Sequence, residues 1–345
     1  MSNTTVPGNG WEIPAELAGK TISQALREFL PGQSWRHIRN LVERRRVTVS
    51  GVLCLDVGRR LTAAETVFVA DAPLPPPPDD GDVRILHLDE SIVVIDKPAG
   101  MISLRHVAEI HWPIKRRMQQ PSADESVLRA VGAATRSKRN LASLPPKVRR
   151  QYVRSVHRID RDTSGLLVFT RSLEAEQSLV KQFSVHSVDR IYQAVVAGTA
   201  QPGVVRGRLV RDRGDGLRGS TTSESDGKPA ATHIETVEPL GAYSLVDCRL
   251  ETGRTHQIRI HLAEQGHPVC GDSMYRGPLG GPAIADESGV PRLALHARLL
   301  AFDHPESGQR VQFEAELPGD LAPFVNGLRS NVVQPTPEES GGGDS

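Results

Sequence analysis

His157-Arg-Ile-Asp-Arg-Asp-Thr-Ser-Gly-Leu-Leu-Val-Phe169 runs from a charged, polar stretch straight into an apolar one. Thr-Ser-Gly marks the change, and Leu166–Thr170 reads as a buried strand. A loop of this kind can hold Asp160 at the edge of a sheet with cations beside it. On composition alone it could equally be a turn in which Asp160 pairs with Arg158 or Arg161 and does nothing else.

Working outward, further strands are expected at Val83–Leu88, Ile92–Asp96, Arg190–Val196, Thr232–Val237, Tyr243–Leu250, Leu293–Leu299 and Arg310–Glu316. Helices are expected at Glu125–Ala134, Leu173–Phe183 and His256–Gln265, the last closed by Gly266. Several strands follow one another with only turns between them. That predicts an α+β fold, a mixed and largely antiparallel sheet with packed helices, and not a doubly wound parallel sheet.

The N-terminal quarter has a different pattern. Ile22, Ala25, Leu26 and Phe29 recur at helical spacing until Pro31–Gly32; a second helix follows Ser34 with Ile38, Leu41 and Val42 as its apolar stripe. The period then changes to two, with Val47 and Val49, a turn at Ser50–Gly51, Leu53 and Leu55, and a strand at Val67–Val69. Residues 17–70 therefore form a small helix–helix–hairpin module. Ala72-Pro-Leu-Pro-Pro-Pro-Pro-Asp-Asp80 is a stiff, polyproline-like spacer, so 71–82 is read as a linker and 83–328 as the main domain. Residues 1–16 and the acidic, low-complexity 329–345 are expected to be disordered.

The length of 345 residues suits about two domains. Three scattered Cys without a CxxC pair fit a reducing compartment, and neither a secretory leader nor an 18-residue apolar run is present, which points to a cytoplasmic protein. The net charge of +1 hides two basic tracts. Between Ser34 and Arg60 lie Arg36, Arg39, Arg44, Arg45, Arg46, Arg59 and Arg60 against Glu43 and Asp56; between Arg105 and Arg161 fourteen Lys and Arg face four acids. Arginines at a helix end can simply complement its dipole. Two such tracts in a neutral chain match the footprint of a phosphate-backbone binder.

Three motifs compete for a role. Gly214-Asp-Gly-Leu-Arg-Gly219 matches GxGxxG but lacks a strand-to-helix context, so it reads as a hairpin tip and not a dinucleotide site. His256, His261, His267 and Cys270 cluster at spacings that suit no common metal site, and no metal is assigned. Asp160-Arg-Asp-Thr-Ser164 is like an aspartyl-phosphate motif, but its strand follows the first Asp instead of preceding it.

Residues 157–169 resemble the catalytic signature of the RluA-type pseudouridine synthase family, HRLD followed by TSG and an apolar strand. Ile92-Val-Val-Ile-Asp-Lys-Pro-Ala-Gly100 resembles its first motif, and Arg190-Ile-Tyr-Gln-Ala-Val-Val-Ala-Gly198 its tyrosine-bearing strand. Leu250-Glu-Thr-Gly-Arg-Thr-His-Gln-Ile-Arg-Ile-His261, with Gly266-His-Pro and Gly271-Asp, resembles its third motif. Leu295-His-Ala, Asp303-His-Pro and Phe313-Glu-Ala are similar to its C-terminal strands, so the resemblance covers about residues 83–325 in order. Residues 17–70 resemble the alpha-L RNA-binding module, named from a ribosomal small-subunit protein.

The resemblance implies an isomerase that turns uridines of structured RNA into pseudouridine, ribosomal RNA ahead of tRNA, working as a monomer. The reaction has no redox step and calls for no cofactor. It implies Asp160 as the catalytic carboxylate, as nucleophile or as base. Arg259 would be the cation beside it. Tyr192 would stack on the target base, and Arg158 would fill the gap the extruded uridine leaves. Arg36, Arg39, Arg44, Arg45 and Arg46 would bind RNA. The competing classes are an inactive RNA-binding assembly factor on the same scaffold, which the intact Asp160, Tyr192 and Arg259 disfavour, and a metal-dependent phosphotransferase using Asp160.

Overall fold

The computed structural model describes residues 5–6, 10–63, 65–105, 121–137 and 153–333. The chain divides into two compact units, Met1–Pro77 and Pro78–Ser345.

In the first unit, strands β1 (Thr5–Val6), β2 (Gly10–Glu12), β3 (Val47–Val49), β4 (Val52–Leu53) and β5 (Thr66–Val69) form a sheet in the order β1-β2-β5-β3-β4. Helices α1 (Ile22–Phe29) and α2 (Trp35–Glu43) cover it. Each starts where a side chain takes over a free backbone N–H. Thr21 and Gln24 close a reciprocal capping box on α1, and Ser34 accepts from His37 N at 3.1 Å on α2. Ile22, Leu26, Ile38, Val42, Val47, Val49 and Val67 are wholly buried between the layers.

The expectation of disorder over residues 1–16 is corrected for its second half. Gly10–Glu12 pair with Thr66–Phe68, Ile13 is buried, and Ala15–Leu17 form a 3-10 turn. Trp11 stacks on Phe29 with ring centroids 5.2 Å apart, so this short segment fills an edge that the helices alone leave open. Polar, Gly- and Pro-punctuated composition concealed two apolar anchors.

The second unit contains β6 (Arg84–Leu88), β7 (Ile92–Lys97), α3 (Ala123–Ser137), β8 (Arg154–Ser155), β9 (Ser164–Thr170), α4 (Leu173–Ser184), β10 (Asp189–Ala197), β11 (Gly203–Val210), β12 (Gly219–Thr221), β13 (Lys228–Leu240), β14 (Tyr243–Leu250), α5 (Gln257–Glu264), β15 (Leu295–Asp303), β16 (Arg310–Glu314) and α6 (Ala322–Val333). Its sheet runs β12-β11-β13-β14-β10-β15-β9-β7-β6, with β16 beside β15 and β8 beside β9. This is the expected mixed, largely antiparallel α+β architecture. Among the described strands one pair is parallel, β9 with β15, through Ser164–Gly165 and His296–Ala297. Gly165 has φ +108°, and a Cβ there would sit 2.3 Å from Ala297 O, so this close approach requires glycine.

The expected strand β9 is buried along its whole length, which explains its unbroken apolar run. β11, β12 and α6 were not expected. β11 is exposed or half-buried at all but one residue and lacks clean alternation, and α6 carries Gly327 in its middle. Helix α6 also takes residues 329–333 out of the stretch expected to be disordered. The remainder of that expectation, 334–345, lies outside the described residues, as do 1–4, 7–9 and much of the second basic tract (106–120 and 138–152).

Candidate active site

Asp160 sits in the loop between β8 and β9, and the sequence around it is built to hold that loop still. Lys97, at the end of β7, is completely buried and donates from Nζ to the carbonyls of Pro98, Met101 and Arg161 at 2.8, 2.8 and 2.9 Å. Ser103 donates to Ile159 O at 2.7 Å and accepts from Ile159 N at 3.1 Å; Gly100 N donates to Arg161 O at 2.9 Å. Backbone on both sides of Asp160 is thus fixed, at Arg161 by Lys97 and Gly100 of the first family-like motif and at Ile159 by Ser103 just beyond it. Burial pushes the Lys97 ammonium down to about 7, although Asp162 and Asp160 favour its charge.

A cavity of about 430 Å³ opens at Asp160. Arg158, Tyr192 and Arg259 all line it, so the structure brings together the four residues singled out in this unit. Tyr192 projects from β10 and is 7% exposed. Burial, with help from Asp160 and against Arg190, pushes its hydroxyl up to about 12, so it stays protonated at neutral pH. Arg158 is exposed and makes no hydrogen bond or ion pair among the described residues. Arg190, buried, lies over the Phe183 ring at 5.5 Å from its centroid.

Arg259 requires a correction in emphasis. The resemblance casts it as the cation for Asp160, and its Nη1 does lie 3.7 Å from Asp160 Oδ2. Its main partner is Asp272, to which Nε and Nη2 donate at 2.6 and 2.8 Å. Burial opposes the guanidinium charge, but the hydrogen bond to Asp272 and the fields of Asp272 and Asp160 outweigh it and raise its pKa. Asp272 also accepts from Met274 N and Tyr275 N, at 2.8 and 3.0 Å. The arginine is therefore aimed by one carboxylate at another.

Sequence reasoning gave no role to His256, Tyr275 or Lys97. His256 Nε2 stands 3.9 Å from Asp160 Oδ1, and His256 Nδ1 is 2.8 Å from the Tyr275 hydroxyl. Burial pushes that hydroxyl up to about 12, so it stays protonated beside the imidazole, which bridges Tyr275 and Asp160. His256 has φ 59°, a left-handed conformation uncommon for a side-chain-bearing residue. The signal was present in Thr-His-Gln within the third motif. Its reading as part of a His/Cys cluster hid it: His261 turns to Thr232 Oγ1, His267 to Ala197 O, and Cys270 is buried.

The other sequence motifs resolve simply. Residues 214–219 connect the antiparallel β11 and β12, a hairpin tip as expected. In the first unit Arg36, Arg39 and Arg44 are exposed. Arg45 and Arg46 are half-buried and each uses Nε to hold a backbone carbonyl, Leu74 O at 3.0 Å and Ala70 O at 2.7 Å.

Comparison with known proteins points one way. Residues 91–264 match the family model described as RNA pseudouridylate synthase. Ribosomal large subunit pseudouridine synthase D of Zymomonas mobilis is 35% identical over 316 residues, covering 90% of this chain and 94% of the relative. The protein of the same name from Pseudomonas aeruginosa is 32% identical, covering 93% and 95%. The solved structure of human RNA pseudouridylate synthase domain containing 4 shares the fold at a TM-score of 0.50 and 22% identity, over 71% of this chain and 93% of that one.

Proposed function

The chain belongs to the RNA pseudouridylate synthase family, and from that premise we propose that it isomerises uridines of large-subunit ribosomal RNA with Asp160 as its catalytic carboxylate. The relatives' names supply the RNA. The observation that carries the site is the convergence of Asp160, Tyr192, Arg259 and Arg158 on one cavity.

The reaction breaks the bond from the anomeric carbon to N1 of the base, turns the base, and joins C5 to the same carbon. The C5 proton leaves and N1 gains one, so atoms and electrons balance without a co-reactant. Asp160 acts at the anomeric carbon. Arg259 Nη1 and His256 Nε2 flank its two oxygens at 3.7 and 3.9 Å, and the guanidinium favours the ionised carboxylate. Tyr192 stacks on the turning base, and its protonated hydroxyl is a donor in the pocket. Arg158, exposed and without a partner among the described residues, fills the space vacated by the extruded nucleotide.

The first unit acts as the RNA-binding module, with Arg36, Arg39 and Arg44 exposed for phosphate and Arg45 and Arg46 holding the backbone behind them. The enzyme works as a monomer in the cytoplasm. Among the described residues no helix is long and apolar enough to cross a membrane. The test is direct. A large-subunit ribosomal RNA transcript incubated with the full chain should gain pseudouridine, read by nucleoside chromatography. RNA binding without any pseudouridine would favour the inactive assembly factor instead.

A further inference from the structure

A second cleft, of about 680 Å³, adjoins the first. Gly253, Arg254 and Thr255 line both, so one wall is shared. The rest of the second cleft comes from the β11–β12 hairpin and the start of β13. It carries four cations, Arg211, Arg218, Lys228 and Arg254, against two acids, Asp212 and Asp226.

Neither acid forms an ion pair with these cations among the described residues. Asp212 Oδ1 accepts from Gly214 N and Gly216 N at 2.8 and 2.9 Å, and Asp226 Oδ1 accepts from Gly227 N at 2.7 Å. Both carboxylates are engaged in shaping their own loops. Neighbouring arginines have internal partners: Arg206 forks onto Glu251, Arg213 onto Asp215, and Arg208 holds the carbonyls of Asp226 and Gly227. Arg211 and Arg218 have no hydrogen-bond or ion-pair partner among the described residues, and Arg254 uses only Nε, on Pro229 O at 3.0 Å. Arg218 is half-buried, and its charge reaches both His256 and Tyr275. Unpartnered guanidinium forks facing a cleft that opens beside a base-extracting pocket suit one ligand chemistry, the phosphodiester.

We propose that this cleft holds the phosphodiester backbone of nucleotides flanking the target uridine, with Arg211 and Arg218 on the phosphates and Arg254 at the passage between the two cavities. The proposal rests on the pseudouridine synthase reading and adds a track for the strand on either side of the extruded base. It also gives the hairpin tip a purpose: Gly214 and Gly216, both at positive φ, let the loop turn tightly enough to present Arg211 and Arg218 from its two ends.

The test uses the full chain and a single-stranded 12-nucleotide RNA containing uridine, with affinity measured by fluorescence anisotropy across a salt series. Arg211→Ala/Arg218→Ala should weaken binding tenfold or more and flatten the slope of log affinity against log salt by about 0.7 for each phosphate no longer neutralised. Arg211→Lys/Arg218→Lys should restore most of the slope, since charge is kept, which separates the removal of a cation from damage to the hairpin. Arg329→Ala, which removes one positive charge ion-paired to Glu238, should leave the slope unchanged. On a large-subunit ribosomal RNA transcript the double Ala variant should raise the half-saturating RNA concentration more than it lowers the maximal rate. Wild-type affinity and slope in the double Ala variant would overturn the cleft. Absence of pseudouridine from the wild-type reaction would instead overturn the reaction assignment, while the anisotropy series still decides the cleft.

Discussion

Arg259 grips Asp272 with two nitrogens, at 2.6 and 2.8 Å, and leaves its third to face Asp160 at 3.7 Å. The side chain of Asp272 is wholly buried, and Arg259 is its ion-pair partner there. Arg259→Met would strand it, at a cost of about 3–5 kcal/mol. Thermal melting should show a large loss of stability and turnover should vanish. Arg259→Lys offers a point charge without a fork and cannot serve two carboxylates at once, so it should melt between the two and turn over slowly. A Met variant with wild-type melting would show that Asp272 is compensated elsewhere.

Asp160→Asn should abolish pseudouridine formation while leaving the melting temperature and RNA affinity near wild type. The loop is held by Lys97 and Ser103 through backbone groups, not through the Asp160 side chain. Turnover within tenfold of wild type would remove Asp160 from the reaction.

Tyr192→Phe keeps the stacking face and loses only a hydroxyl. Tyr192→Ala loses both and should cost about 1–3 kcal/mol in binding the reacting nucleotide. With the hydroxyl pushed up to about 12, no ionisation of Tyr192 should appear in a rate profile taken between pH 6 and 10. Equal rates for the Phe and Ala variants would reduce Tyr192 to strand packing.

Burial, reinforced by Arg190, pushes His157 from 6.5 down to about 3 in the folded protein. Its Nε2 accepts from Val168 N at 3.1 Å, a bond that only the neutral ring can make. Between these two values the unfolded chain binds the extra proton and the folded one does not. Stability therefore falls as pH is lowered from about 6.5 toward 3, and it levels off below. Denaturant midpoints at pH 7, 5 and 4 should show that fall, and His157→Gln, which keeps an acceptor without a titrating group, should make it shallower. Parallel pH profiles for the two proteins would contradict this.

Removing residues 1–77 should weaken RNA binding more than chemistry. The remaining unit, Pro78–Ser345, contains Asp160, Tyr192, Arg259 and Arg158 together with their supports. The salt dependence of binding should flatten by about 0.7–0.9 for each phosphate that the missing arginines had neutralised, and saturating RNA should recover most of the rate. A folded truncation that stays inactive at saturating RNA would mean that the first unit helps to assemble the site.

What was legible in the chain follows from how local each signal is. Ser34, the apolar spacing of α2 and the continuous apolar run of β9 are local, and each element formed where its pattern lies. Trp11 and Ile13 were hidden because their partners, Phe29 and Val67 for Trp11 and Glu65 for Ile13, are distant in sequence. The same holds at the site. Asp160, Tyr192 and Arg259 stood out through motifs, but the pairing of Arg259 with Asp272 and the turn of Tyr275 toward His256 span 13 and 19 residues and depend on a left-handed backbone at residue 256. Composition could not separate Arg213, which Asp215 holds, from Arg218, which nothing holds among the described residues.

The four proposed site residues lie on either side of the two-residue parallel contact of β9 with β15. Asp160 and Arg158 belong to the side containing β7 and β9, whereas Tyr192 and Arg259 belong to the side containing β10, β14 and α5. Parallel pairing is slightly weaker per residue than antiparallel, and this contact is short. Opening there would draw Asp160 and Arg158 away from Tyr192 and Arg259, and it would also break the Ser164–His296, His304–Asp89 and Gln182–Asp303 hydrogen bonds across the same seam. Amide hydrogen exchange at 164–165 and 296–297 would follow that opening, which far-ultraviolet circular dichroism would miss.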